Sequence, residues 1–241
     1  MNSKYIDLIN QTFDFPQEEF FLEKDHLQFH GIDLNKLVET YGTPLKFTYL
    51  PKISENINKA KRWFESAIKK HNYGGNYNYC YCTKSSHFKH VLNEALKNDI
   101  HIETSSAFDI DIVEALKREG KINNNTFVIC NGFKQAQYFA NIARLINSGH
   151  QNCIPIIDNY EEINLLSNEI DGNYNIGIRI ASEEDPKFEF YTSRLGIGYK
   201  NIVPFYNKQI KDNPKVQLKM LHFFINTGIS DNAYYWNELL K

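Results

Sequence analysis

Lys84 is the residue in this chain best placed by its neighbours to do chemistry. It follows an aromatic- and cysteine-rich run, Tyr77–Cys82. Strand alternation there puts Cys80, Cys82 and Lys84 on one face and Tyr79, Tyr81 and Thr83 on the other. A parallel βα sheet keeps its reactive groups at the C-terminal ends of its strands. A lysine at such an end is expected to be partly desolvated, which lowers an amine's pKa and suits it to forming a Schiff base. The plainer alternative is a lysine that caps the strand in solvent. Five further polar residues end apolar runs in the same way: Glu103, Asn131, Asp158, Arg179 and His222. Gathered at one end of one sheet, Lys84, Glu103 and Arg179 would make a polar cluster. Asn226-Thr227-Gly228, just before a helix start, is a weaker candidate for holding an anion. Cys80-x-Cys82 resembles half of a metal site, but no second Cys or His pair has matching spacing, so packed thiols are expected and no metal.

These residues need a scaffold that brings their strand ends together, and from about residue 45 the sequence describes one. Ile53, Ile57, Ala60, Phe64 and Ala67 recur at spacings of three and four and predict a helix over Pro51–Lys70. A strand over Tyr77–Cys82 is followed by a helix opened by Ser86, with Phe88, Val91, Leu92, Ala95 and Leu96 as its stripe. Ile100–Glu103 is a strand. Ser106 and Asp109 resemble a capping box for a helix through Leu116, closed by Gly120. Strands follow at Phe127–Cys130, Cys153–Ile157, Ile176–Ile180 and Gln217–Phe224, with helices at Tyr138–Ile146, Glu161–Ser167 and from Tyr234. The strand ends recur about every 28 residues, the size of a βα repeat. Such alternation predicts a parallel sheet with right-handed crossovers, as a doubly wound sheet or a (β/α)8 barrel. The absence of a Gly-x-Gly-x-x-Gly turn after the first strand disfavours dinucleotide binding. Residues 1–44 differ. Phe13–Pro16, Phe20–Leu22 and Leu27–Ile32 read as short extended pieces and Asp33–Tyr41 as a short helix, before a strand at Leu45–Leu50. They are expected to be an arm of a second, mostly β, domain.

Composition narrows the function classes. Lys+Arg 27 against Asp+Glu 29 leaves a net charge of -2, so nucleic acid or an anionic membrane is not expected as a partner. No apolar run approaches the ~20 residues that span a bilayer, and Met1–Asn10 has no secretory pattern. The four cysteines lie in strand-like segments, as buried free thiols of a cytoplasmic protein would.

Several strings, in order, resemble the alanine-racemase-like (fold type III) pyridoxal-phosphate decarboxylases. Tyr81-Cys-Thr-Lys84-Ser resembles the segment around their cofactor lysine, and Tyr41-Gly-Thr-Pro-Leu45 the opening segment of diaminopimelate and arginine decarboxylases. Ile129-Cys-Asn-Gly-Phe-Lys134 and the Gly74–Tyr79 approach are most similar to the biosynthetic arginine decarboxylases. The resemblance implies a (β/α)8 TIM-type barrel, pyridoxal 5'-phosphate as cofactor, and decarboxylation of a basic amino acid. Arginine to agmatine, in polyamine biosynthesis, is the first expectation, and diaminopimelate, ornithine or lysine the alternatives. A non-catalytic cofactor-binding or regulatory barrel is the reading from another class. The resemblance also implies that Lys84 is the catalytic, cofactor-linked lysine and Glu103 the acid near the cofactor, with Ser106 and Asp109 the Ser and acid that follow it. Arg179 would be the arginine near the ring, and Arg194-Leu-Gly196 would match a Lys-Phe-Gly element. Leu221–Thr227 would match Leu-His-Phe-His-Leu-Gly-Ser. Phe224 then stands where the family has a ring-stacking His, and Thr227 where it has a phosphate-contacting Ser. Phe can still stack on a ring, and Thr keeps the hydroxyl.

His222 leaves 19 residues, whereas a full barrel needs two more βα units, roughly 55 residues at the repeat seen here. The expectation is an incomplete barrel of about six βα units over residues 45–241. The chain would be an N-terminal piece of a homo-oligomeric decarboxylase, poorly active alone.

Overall fold

The computed structural model describes residues 19–181, 195–224 and 240. The expected pieces at Phe13–Pro16 and Tyr234–Leu240, together with Arg194, Asn226 and Thr227, lie outside the described residues, Leu240 excepted. The chain divides into two compact units, Met1–Tyr49 and Leu50–Lys241.

In the first unit, β1 (Phe20–Glu23), β2 (His26–Phe29) and β3 (Ile32–Asp33) form an antiparallel sheet in that order. Lys24 and Asp25 both have positive φ, the geometry that lets a two-residue loop follow the twist of its strands. Asp33 caps α1 (Leu34–Tyr41), its carboxylate accepting from the backbone N–H of Asn35 and Lys36. The expected strand at Leu45–Leu50 does not form. Its alternating aromatics Phe47 and Tyr49 instead lay their rings against Phe29, with centroids 5.6 and 5.4 Å away. A period of two was satisfied by ring packing rather than by a neighbouring strand.

The second unit opens with α2 (Pro51–Lys70), where Pro51 occupies the first turn, the position that needs no N–H partner. Then strand and helix alternate: β4 (Cys80–Cys82), α3 (Lys89–Leu96), β5 (His101–Thr104), α4 (Ala107–Arg118), β6 (Val128–Cys130), α5 (Ala136–Asn147), β7 (Cys153–Ile157), α6 (Glu162–Glu169), β8 (Tyr174–Ala181), β9 (Ile197–Gly198), α7 (Ile202–Phe205) and β10 (Val216–Phe223). The main path is β10-β8-β7-β6-β5-β4, every pairing parallel, with β9 beside β8. Among the described residues the path does not close, which is the incomplete α/β barrel expected.

The sheet is curled. A flat sheet would hold β6 and β10, three strand spacings apart, about 14 Å from one another. Yet the Asn131 side chain just after β6 lies 3.2 Å from His222 of β10. Inside the curl, Ile129, Ile154 and Ile156 are buried together, with Cys80, Phe127 and Met220 against them. The opposite strand faces, including Ile102, Val128, Cys153 and Ile176, pack under the helices against Val113, Ile142 and Leu166. Tyr79 and Tyr81 pack on this outer side, as the alternation of β4 requires.

Three local details depart from expectation. β4 keeps three residues of the expected Tyr77–Cys82, because as an edge strand it pairs only with β5. α3 starts at Lys89, not at Ser86, whose carbonyl accepts from the Tyr81 hydroxyl. Ser106 is the N-cap residue of α4 but makes no side-chain cap; Asp109 accepts from the Ser105 N–H, 2.8 Å away. β10 also carries an irregularity. Leu218 pairs with Ile176 and Met220 with Gly177, so Lys219 is one residue too many for its partner strand.

Candidate active site

Register places the polar strand ends at one rim. Cys82 pairs with Glu103, Glu103 with Ile129 and His222 with Arg179, while Asp158 directly follows the Ile157–Ile178 pair. Lys84 lies in the turn that ends β4, two residues beyond the level of Glu103. It is exposed, so the partial desolvation expected of it is not seen. Among the described residues the short strand before it has a neighbouring strand, β5, on one side. Its inward neighbours Cys80 and Cys82 are free thiols, and burial, reinforced by the Glu103 carboxylate, pushes the Cys80 thiol up to about 11. Among the described residues no cluster suits a metal ion.

Asn131 joins two strand ends across the curl. Its amide nitrogen donates to Glu103 Oε1 at 3.0 Å and to His222 Nε2 at 3.2 Å. The carboxylate fixes which way the amide points, since the oxygen would be repelled there. His222 therefore accepts at Nε2 and carries its proton on Nδ1. Burial first, then the Arg179 and Lys134 cations, depress its pKa to about 4, so the ring is neutral near pH 7. His222 Nδ1 and Asn131 Oδ1 are buried and have no hydrogen-bond partner among the described residues.

Beside them lies a cluster that the sequence did not announce. Lys134, just before α5, is wholly buried in its side chain. Its ammonium donates to Glu162 Oε2 at 3.0 Å, to the Gly132 carbonyl at 3.2 Å and to the Ile156 carbonyl, and stands 3.6 Å from Asp158 Oδ2. The other Asp158 oxygen faces Arg179 Nη1 at 3.8 Å. Burial raises the Asp158 carboxyl against the pull of Lys134 and Arg179, and raises Glu162 against the pull of Lys134. The available signal was a pair of acids, Asp158 and Glu162, four apart around a helix start. The Arg179 guanidinium is 6.0 Å from the Phe224 ring centre. The rim thus brings Glu103, Asn131 and His222 into contact, and separately Lys134, Asp158, Glu162, Arg179 and Phe224. Thr227 lies outside the described residues. His101 is the first residue of β5, its ring accepting from the Phe127 N–H at the far end of the sheet.

Gly196 presses on the back of this rim. Its φ is +101°, its N–H donates to the Asp158 carbonyl at 3.0 Å, and a Cβ there would lie 2.8 Å from the Ala181 nitrogen. Only glycine permits both the conformation and the approach.

Comparison with known proteins matches residues 54–241 to the family described as pyridoxal-dependent decarboxylase, pyridoxal binding domain. Biosynthetic arginine decarboxylase 2 of Synechocystis sp. is 25% identical over 227 residues, covering 84% of this chain and 34% of that protein. Biosynthetic arginine decarboxylase of Prochlorococcus marinus (strain MIT 9215) is 27% identical over 219 residues, covering 84% and 33%. The chain spans about a third of the length of these relatives. Among solved structures, diaminopimelate decarboxylase from M. jannaschii in complex with L-lysine superposes with TM-score 0.75 at 16% identity, over 90% of this chain and 50% of that one. The arginine decarboxylase of Paramecium bursaria Chlorella virus gives 0.62 at 11%, over 85% and 50%. At such identities the likeness is one of fold.

The rim suits the cofactor that the matched domain binds. It offers an exposed amine for an aldehyde, a guanidinium for an anionic group, a neutral imidazole, and buried polar atoms that have no partner among the described residues.

Proposed function

The chain belongs to the pyridoxal-dependent decarboxylases, its matched part being their pyridoxal-binding domain, and from that premise we propose that the protein it represents decarboxylates a basic amino acid, arginine first. The observation that carries this reading is the register: Lys84 follows its strand at the same rim as Glu103, Asp158, Arg179 and His222. Pyridoxal phosphate, when bound, supplies a sink for the electron pair left as carbon dioxide departs. Lys84 would be the residue that holds its aldehyde carbon. Glu103, oriented by Asn131, would present negative charge toward the ring from β5. Arg179 presents positive charge from β8, and Phe224 a flat face. By the resemblance of its segment, Thr227 would offer a hydroxyl to the phosphate. Arginine is favoured over other basic amino acids by the two arginine decarboxylase relatives. Residues 1–44 are read as the arm of a β-domain, and the whole protein as a cytoplasmic homo-oligomer.

Borohydride reduction in the presence of pyridoxal phosphate, followed by peptide mass spectrometry, tests the site. A label on Lys84 that Lys84→Ala abolishes is expected; a label elsewhere, or none, overturns the assignment. Carbon dioxide release from arginine, ornithine, lysine and diaminopimelate by the whole protein tests the substrate.

A further inference from the structure

We propose that Lys134 is a positioning residue for Arg179, acting through Asp158. Burying a lysine is costly, and a buried ion pair gives stability that well-packed apolar residues match or exceed. Its presence therefore calls for another explanation, and the geometry supplies one. An ammonium has three donors. Here all three are taken, by Glu162, by the Gly132 carbonyl and by the Ile156 carbonyl at the end of β7. Lys134 is thus locked into the sheet end, and Asp158 meets it by charge alone, at 3.6 Å. Neither Asp158 side-chain oxygen has a hydrogen bond among the described residues. One oxygen faces Lys134 and the other Arg179, so this carboxylate lies between a fixed cation and one at the rim. Its backbone is held on both sides, the N–H donating to Glu162 Oε2 and the carbonyl accepting from Gly196. Among the described residues the Arg179 guanidinium has one ion-pair partner, Asp158, and leans toward Phe224. Without Lys134 the buried Asp158 carboxylate would lose the stronger of its two cationic partners, and it would turn away or take up a proton. Arg179 would then lose its restraint.

This inference rests on the reading that Arg179 faces the cofactor, so its test has one arm without cofactor. The variants are Lys134→Met with Glu162→Gln, which removes the pair together, and Asp158→Asn, which breaks the link while leaving Lys134 paired with Glu162. In the chain free of cofactor, the side-chain Nε–H signal of Arg179, identified by its loss in Arg179→Gln, is followed by NMR. It should move to the position of a free arginine in both variants. An unmoved signal in the variants that fold overturns the proposal. In the second arm, pyridoxal phosphate affinity should fall about tenfold in either variant, and by less than about twofold when the same change is made in Arg179→Gln. Equal losses in both backgrounds would mean a merely structural role and would also overturn it. If the wild-type chain takes no label on Lys84 while the NMR shift is as expected, the function reading fails and the positioning stands.

Discussion

The two halves of the rim are built differently. At the β7–β8 half, Asp158, Lys134 and Glu162 are buried under flanking strands, and Arg179 is 13% exposed in its side chain. At the β4 half, the strand is three residues long, pairs with β5 alone among the described residues, and is followed by an exposed Lys84 in the next turn. A buried charge is held in place by what surrounds it, whereas an exposed amine keeps its freedom of movement.

That contrast can be broken at several points. Lys134→Met alone leaves two buried carboxylates facing each other and should cost about 3–5 kcal/mol; adding Glu162→Gln should restore much of it in urea unfolding. If the single variant were as stable as wild type, the β7–β8 half would not be held by charge. Ile156→Ala, in the interior cluster with Ile129 and Ile154, should cost about 2–5 kcal/mol by the same measurement. A third test is acid. The folded-state pKa of His222 lies below the value in an unfolded chain, so the unfolded state binds the proton first. Stability from this group is complete above about pH 6.5 and is lost as pH falls toward about 4, by at most about 3 kcal/mol. The raised carboxyls of Asp158 and Glu162 act in the opposite sense, so the reading is the difference from His222→Gln, which should lack that loss. Lys84→Ala should leave stability within about 0.5 kcal/mol of wild type while abolishing the borohydride label. A large loss would mean that Lys84 is built into the fold.

The sequence carried the order of elements well because each one satisfies a local rule. The apolar run Cys153–Ile157 bounded by Asp158 and the stripe of α5 each have one solution. Asn131 and Asp158 were readable as strand ends for the same reason, since a polar residue closing an apolar run marks where the run leaves the interior, whereas β8 and β10 run on past Arg179 and His222. Lys134 was not readable. A lysine after Gly132-Phe133 looks like a loop residue in solvent, and its partners, 24 and 28 positions onward, become neighbours only when β6 and β7 pair. Leu45–Leu50 erred the other way, because alternation does not tell a strand from a segment that lays every second ring on Phe29.

The extra residue in β10 has a consequence for the site. Side chains in a strand alternate strictly, and from Val216 on the helix side an unbroken count would turn His222 and Phe224 outward as well. Lys219 shifts the phase by one step, so that Met220 enters the interior cluster and the even-numbered residues after it follow inward. The imidazole that meets Asn131 and the ring that meets Arg179 thus owe their direction to a lysine that touches neither, and removing that single residue would turn both inside out.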